Sequence, residues 1–305
     1  MDKTYPYPIE IEGDRNKLSR SYKQIVSKNK YSNYPQTKKI NNIRICVYNV
    51  NRFEFLFNAN EKIYEFTKEI NPDILSMIEY KNFPNDKFFF KTNCNFTFLQ
   101  QSQDYGILTM TPLKADILKN KSISTNLFGE NTGFTHCMIR GLNIITIHLD
   151  VFIESGRMRL HEILVIHDYI MNHTLQNVII IGDFNEMNIN ELHPMYEEYR
   201  SEFEKRTGYT KLPTSTHDFL KKLKYIDVYS LFTEDDENYP KFSCWSGKLV
   251  DYCYIWLPTW DSDFKISDIT LPMFQYSDHL PIVLDIQLPE IPNEDMYVAT
   301  YLEDT

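Results

Sequence analysis

The sequence lacks any paired-cysteine pattern. Its five cysteines, at 46, 94, 137, 244 and 253, form no CxxC pair and leave an odd one over. That argues against a disulfide framework or a structural zinc centre, and it points to a reducing compartment. No apolar run reaches the length of a bilayer span. The opening segment MDKTYPYPIEIEGDRNK has no basic-then-apolar leader pattern. The expectation is a soluble intracellular monomer, cytoplasmic or nuclear, with no membrane segment. No internal repeat is visible, and no linker cuts residues 41–288 in two.

What is present is the composition of a packed protein, 42% hydrophobic and 14% aromatic over 305 residues. The net charge of −10 is unevenly spread: Arg15 to Arg44 holds nine Lys or Arg and no acid, while 289–305 holds five acids and no base. The chain therefore divides into a basic arm (1–40), a central domain (41–288) and an acidic tail (289–305). The arm is either a contact for a polyanion or a solvated tether.

Hydrophobic periodicity places the elements. IRICVYN (43–49) and ILSMIE (74–79) read as strands around a helix at about 59–70, in which Ile63, Phe66 and Ile70 share one face. KFFFKT, FTFLQ, YGILTM, FTHCMI and LNIITIHL form a strand-dense middle, and 156–173 is a helix. A strand at VIII (178–181), a short helix near 217–223, and strands at 250–256, near 264–270 and at 282–288 complete the pattern. Strands alternating with helices, interrupted by a strand-dense stretch, predict an α/β layered architecture with mixed sheets.

Several strands end in a residue that can hold a metal ion or a phosphate. They are Asn49 with Asn51 beyond it, Glu79, His148 before Asp150, Asp183 with Asn185, and Asp278 with His279; Asp251 sits inside a predicted strand. Taken singly, each has an ordinary structural explanation, such as turn-forming Asn or a satisfied core histidine. Taken together, they suit phosphate ester hydrolysis. That reaction needs a cation against the phosphoryl oxygens, an activated water, and donors for the developing charge. Magnesium binds hard oxygen ligands and needs only one or two carboxylates. Period-two alternation at the end of VIIIGDFN predicts Asp183 and Asn185 on one side and Phe184 on the other.

In order and wording, RICVYNVN, DILSMIE, IITIHLD, IIIGDFN, KLVDYCYI and YSDHLPIVLDI resemble the endonuclease/exonuclease/phosphatase superfamily over roughly 41–288. The resemblance implies a four-layer α/β sandwich, two packed mixed β-sheets flanked by helices, like deoxyribonuclease I. It implies Mg²⁺, with Mn²⁺ as a substitute, held by Glu79 with Asn49 and Asp278. It makes Asp183 the residue that activates water, and Asn185 and His279 the phosphate contacts. Asp251 then orients His279, and His148 marks the sphingomyelinase, deadenylase and tyrosyl-DNA phosphodiesterase branches. Arg159 and Asn51 are implied as support. Two departures stand out: Ile78 replaces the Gln usual before the glutamate, and Asn51 stands where an Asp is common.

The implied activity is a metal-dependent phosphodiesterase with nucleic acid as its partner, by nuclease or end-processing action. A phosphatase, a lipid phosphodiesterase, and a non-catalytic protein keeping the fold stay open as alternatives.

Overall fold

The run NIRICVYN forms strand β1 (Asn42–Asn49), buried along its whole length. Its side chains alternate between two cores: Ile43, Ile45 and Val47 enter one, Cys46 and Tyr48 the other. A strand covered on both faces reads as a nearly continuous apolar run. The computed structural model describes residues 42–289 apart from 54–58, 82–93, 126–129, 152–155, 189–195, 209–214, 233–239, 241, 245–247, 273 and 275–276. The basic arm, the acidic tail and the strand expected at KFFFKT lie outside the described residues.

Helix α1 (Ala59–Ile70) follows β1 and returns the chain to β2 (Ile74–Lys81), parallel to β1. Strands β3 (Asn95–Gln100) and β4 (Tyr105–Thr111) extend the sheet on one side; β11 (Lys265–Thr270) and β12 (Ile282–Gln287) extend it on the other. The first sheet has the order β11-β12-β1-β2-β4-β3. The second runs β5-β6-β7-β8-β10-β9. Its strands are β5 (Ile117–Thr125), β6 (Asn131–Ile139), β7 (Leu142–His148), β8 (Val178–Asp183), β9 (Tyr225–Asp227) and β10 (Asp251–Trp256). Helix α2 (Gly156–Asn172) joins the parallel pair β7 and β8. Helices α3 (Tyr196–Thr207) and α4 (Thr216–Lys222) precede β9.

The two sheets therefore share one plan: a central parallel pair joined by a helix, with two antiparallel strands on each side. No repeat is visible in the sequence, yet the topology repeats. The sheets pack face to face over Ile45, Ile74, Ile78 and Ile107 of the first and Ile144 and Ile181 of the second. One polar thread crosses this interface. Ser76 and Thr109 on one sheet, at 2.8 Å, continue through a Ser76–Thr146 contact of 2.9 Å and a Thr109–Thr135 contact of 2.6 Å. Helix α1 lies on the outer face of the first sheet, where Phe66 meets Phe274. Helix α2 covers the second, where Tyr169 packs on Phe134. The result is the expected helix–sheet–sheet–helix sandwich.

Three elements have no sequence signal above. β5 is polar (ILKNKSIST), as suits an edge strand protected from further pairing by lysines. β9 has three residues. α3 is highly charged, with Arg200 paired to Glu197 and Glu204 along its surface.

Candidate active site

The parallel strands of both sheets deliver their C-terminal ends to one place. β1 ends at Asn49 beside Glu79 of β2, and β7 and β8 end at the register pair His148 and Asp183. Ligands of open α/β sheets gather at this end of parallel strands.

Glu79 reaches the site through a distortion. β2 shifts register against β4 between Met77 and Tyr80, and Glu79 adopts φ 53°, a left-handed conformation rare for a residue with a side chain. A bulge re-aims a side chain at a cost of order 1–3 kcal/mol, and such strain concentrates at functional sites. Ile78, standing where a Gln is usual, is fully buried between the sheets. β8 solves a different problem. Gly182 (φ 144°) lies so close to β7 that a Cβ would stand 2.1 Å from the Ile147 carbonyl oxygen, so no other residue fits before Asp183.

Asp183 is the hub. It is buried, and its Oδ2 accepts from Asn49 Nδ2 at 3.0 Å. His279 Nε2 stands 3.9 Å from the same oxygen and His148 Nε2 4.0 Å. Burial raises the Asp183 carboxyl above its usual range and the Asp251 charge adds to this, against the lowering influence of His279 and His148. A carboxylate so placed is a stronger base than one in water.

His279 hydrogen-bonds Asp251 Oδ2 through Nδ1 at 2.8 Å. Burial opposes its imidazolium, yet the charges of Asp251 and Asp183 hold its pKa well above the ordinary histidine value. Asp251 opens β10 rather than sitting inside the strand, directly opposite Asp183 in the antiparallel register. Its Oδ2 also accepts from Ser243 Oγ at 2.6 Å, and that hydroxyl in turn accepts from the backbone amides of Val250 and Asp251. Ser243 thus fixes the aspartate that fixes the histidine.

Asn185 is positioned differently from the expectation. The strand stops at Asp183, Asn185 takes φ 48°, and its backbone N–H donates to Asp183 Oδ1 at 2.8 Å. Its side-chain Nδ2 donates to the Leu149 carbonyl at 2.9 Å, tying the exit of β8 to that of β7. Period-two alternation therefore ends at Asp183, and turn chemistry governs Asn185. Phe184 does go the other way, fully buried against His217, Tyr252 and Tyr254.

On the other side of Asp183, Asn49 donates to Glu79 Oε1 at 3.3 Å while its oxygen accepts from the Asn51 amide at 3.0 Å. Asn49 therefore bridges two carboxylates as a donor, and Asn51 anchors it through backbone. Arg52 stands 3.5 Å from Glu79 Oε2 and stacks 4.4 Å over the Tyr105 ring. Asp278 accepts from Ser277 at 3.2 Å. Asp183, Asp251 and His279 offer ligand atoms within 4.8 Å of one another. The Asp251–His279 hydrogen bond makes these three a chain of charge and proton, with the hard oxygen of Glu79 beside it.

The carboxylate oxygens of this donor set suit a hard divalent cation. Asp183 and Asp251 offer oxygens within 4.8 Å of each other, Asn49 links Asp183 to Glu79, and the buried His148 Nε2, 3.7 Å from Glu79 Oε1, has no hydrogen-bond partner. An unsatisfied buried nitrogen is costly unless a ligand completes it.

Arg159 is buried on α2, donating to the Asp150 carbonyl at 3.0 Å and pairing with Glu186 at 3.2 Å. Glu186 also accepts from the Thr216 amide, and His217 bonds the Glu186 carbonyl. This network holds the turn after Asp183 from behind. Sequence reasoning missed Ser243, Arg52 and Gln101, whose Oε1 lies 3.0 Å from His148 Nδ1. Trp245, in the segment before Asp251, lies outside the described residues.

No family model matches the sequence, and no curated protein matches it. Solved structures do resemble the fold. The human Nocturnin catalytic domain with bound sulfate is 17% identical, with a TM-score of 0.54 over 82% of this chain and 96% of that one. D. rerio TDP2 complexed with single-strand DNA product is 15% identical, with a TM-score of 0.53 over 80% and 98%. The 3′ phosphatase NExo from Neisseria, bound to a product DNA hairpin, is 12% identical, with a TM-score of 0.57 over 79% and 98%. The chain shares its fold with these structures, the deoxyribonuclease I-like sandwich of two packed mixed sheets.

Proposed function

We propose that the protein is a Mg²⁺-dependent phosphodiesterase that hydrolyses a phosphate ester in nucleic acid. The observation that carries this reading is the buried Asp183 carboxylate, set between the His279–Asp251 pair and the Asn49–Glu79 pair.

The side chains divide the work by their chemistry. Asp183, its basicity raised by burial, takes a proton from the attacking water. His279, kept as imidazolium by Asp251 and Asp183, donates through Nε2 to a phosphoryl oxygen as charge builds there. His148 Nε2 supplies a second ring nitrogen facing the same space. Asn185 holds the two strand exits in register so that the phosphate meets both rings. Glu79 would hold Mg²⁺, or Mn²⁺ in its place, with Asn49 fixing its carboxylate. The ion, when bound, neutralises phosphoryl oxygens and stabilises the leaving oxygen.

Nucleic acid as the partner is supported by two likenesses. The D. rerio TDP2 and Neisseria NExo structures with which this fold aligns were each determined with DNA product. The alternative is a phosphomonoesterase at a strand end, supported by the likeness to a 3′ phosphatase. The test is hydrolysis of bis-p-nitrophenyl phosphate, labelled oligonucleotides with blocked and phosphorylated ends, and phosphoinositides, each with and without Mg²⁺. Metal-dependent turnover of the diester and oligonucleotides is expected. Turnover confined to phosphoinositides would replace nucleic acid with a lipid substrate, and no turnover on any member would leave a binding protein.

A further inference from the structure

The turn that follows β1 carries a cation to the edge of the site. Val50 extends the pairing with β2 by donating its N–H to the Ile78 carbonyl at 2.9 Å. The chain then turns over Asn51 (φ 43°) and Arg52 (φ 53°), two successive left-handed residues, neither of them glycine. That conformation is uncommon for residues with a side chain, and such strain collects at binding sites. Its effect is to bring the Arg52 side chain against Glu79 of β2.

Arg52 makes two contacts of different kinds. Its Nε stands 3.5 Å from Glu79 Oε2, an ion pair at the limit of hydrogen-bond reach. Its guanidinium carbon lies 4.4 Å over the Tyr105 ring, a cation–π stack. The ring is itself tethered, because the Tyr105 hydroxyl donates to Glu130 Oε1 at 2.6 Å. The Arg52 side chain is 41% exposed and that of Glu79 16%, so the cation stands at the rim and the carboxylate below it. The other carboxylate oxygen, Oε1, faces Asn49 Nδ2 at 3.3 Å and His148 Nε2 at 3.7 Å. Arg52 is thus one carboxylate away from the centre of the site.

The two contacts respond differently to a metal ion. Glu79 loaded with a divalent cation no longer attracts the guanidinium, whereas the stack on Tyr105 is untouched. Resting on the phosphodiesterase reading, we propose that Arg52 exchanges partners. It balances Glu79 until a cation occupies that carboxylate, and then grips the phosphate next to the scissile one. A guanidinium fork matches the paired oxygens of a phosphate, and an arginine already held on a ring loses little freedom in making the contact. Arg52 is then a specificity-determining residue, favouring a substrate with a neighbouring phosphate, as in a polynucleotide, over a lone diester.

The test uses the full-length protein and two binding measurements that need no turnover. Calorimetric titration with Mn²⁺ alone is expected to give Arg52→Gln a Kd about two- to fivefold tighter than wild type, the scale of a partly exposed ion pair. Binding of a fluorescein-labelled, phosphorothioate-linked single strand, which keeps its charges and resists hydrolysis, is followed by anisotropy against salt. In Mn²⁺ the slope of log K on log salt is expected to flatten by about 0.7 in Arg52→Gln, the loss of one phosphate contact, and in EDTA to stay as in wild type. Arg52→Lys keeps the slope, and Arg52→Gly, which relieves the left-handed backbone, behaves as Arg52→Gln. A merely loosened site does not bind metal more tightly while it loses a phosphate contact. An unchanged or weaker Mn²⁺ Kd in Arg52→Gln, a wild type that binds no Mn²⁺, equal slopes in Mn²⁺, an equal flattening in EDTA, or a slope restored by Arg52→Gly overturns the exchange. Turnover of bis-p-nitrophenyl phosphate separates the two readings. Retained turnover with neither binding altered sinks the exchange alone, and absent turnover with both altered sinks the hydrolase and leaves the exchange standing.

Discussion

In the first sheet the parallel pair β1 and β2 ends in Asn49 and Glu79; in the second the pair β7 and β8 ends in His148 and Asp183. The strand plans are alike, and the ends differ in both shape and chemistry. The first sheet bends β2 through a bulge and presents a partly exposed carboxylate with a bridging amide. The second brings β8 against β7 through Gly182 and presents a buried carboxylate next to a buried histidine. In the proposed mechanism one end holds a cation and the other moves a proton. His279, which immediately precedes a strand of the first sheet, crosses to Asp251 of the second and joins the halves. A repeated scaffold therefore does not imply a repeated site: what differs is how water reaches each carboxylate.

Substitutions on the two sides should fail in different ways. The largest effect belongs to the second sheet. Asp183→Asn and His279→Ala each lower kcat by about 10²–10⁴-fold at saturating Mg²⁺, with the circular dichroism of the folded protein retained. Unchanged metal-dependent turnover in both would remove the proton-moving role from this end. On the first side, Asn49→Ala weakens Mg²⁺ activation by about 10–100-fold, and added metal recovers the rate. A loss that no Mg²⁺ concentration restores would erase the contrast between the ends.

The pH profile sharpens the same contrast. His279 has a raised pKa, so its imidazolium, and the stability it contributes, is fully present below the unfolded value near 6.5 and is lost as pH rises through the folded value. The alkaline limb of kcat/KM therefore lies above neutrality. Removing the Asp251 charge in Asp251→Asn moves that limb to lower pH, and an unmoved limb would detach Asp251 from His279. The smallest effect is expected between the sheets. Thr109→Val interrupts the hydroxyl thread from Ser76 to Thr135 and costs about 1–3 kcal/mol in denaturant unfolding, with kcat/KM unchanged for the folded enzyme.

Much of the frame was legible because buried strands announce themselves. VIII, IITIH and IRICVYN are apolar runs ending in polar residues, and both their strand identity and their arrival at one cleft follow from that pattern. The edge strand β5 was silent, since an edge facing solvent is selected for lysine and asparagine rather than for apolar alternation. The bulge at Glu79 was silent for another reason: no glycine marks it, and the left-handed conformation is imposed by its surroundings. Ser243, Gln101 and Arg52 carry no local signature. Their partners lie 8, 47 and 27 positions away, and only the paired sheets bring them within reach. Asn185 shows the reverse error, where a periodic argument was extended one turn past the end of its strand.

The place of β12 beside β1 has a consequence for manufacture. The chain emerges amino end first, and every strand of the second sheet has been synthesised by Trp256, while β1 still lacks its neighbour on one side. The sheet begun first is thus finished last. Until β12 arrives, β1 presents an open edge of the kind that recruits other chains, and a nascent polypeptide of that length is vulnerable to misassembly. His279, on which the proposed hydrolysis depends, also lies in the portion still to be translated. Completing the fold and arming the site are one event, timed by the last strand.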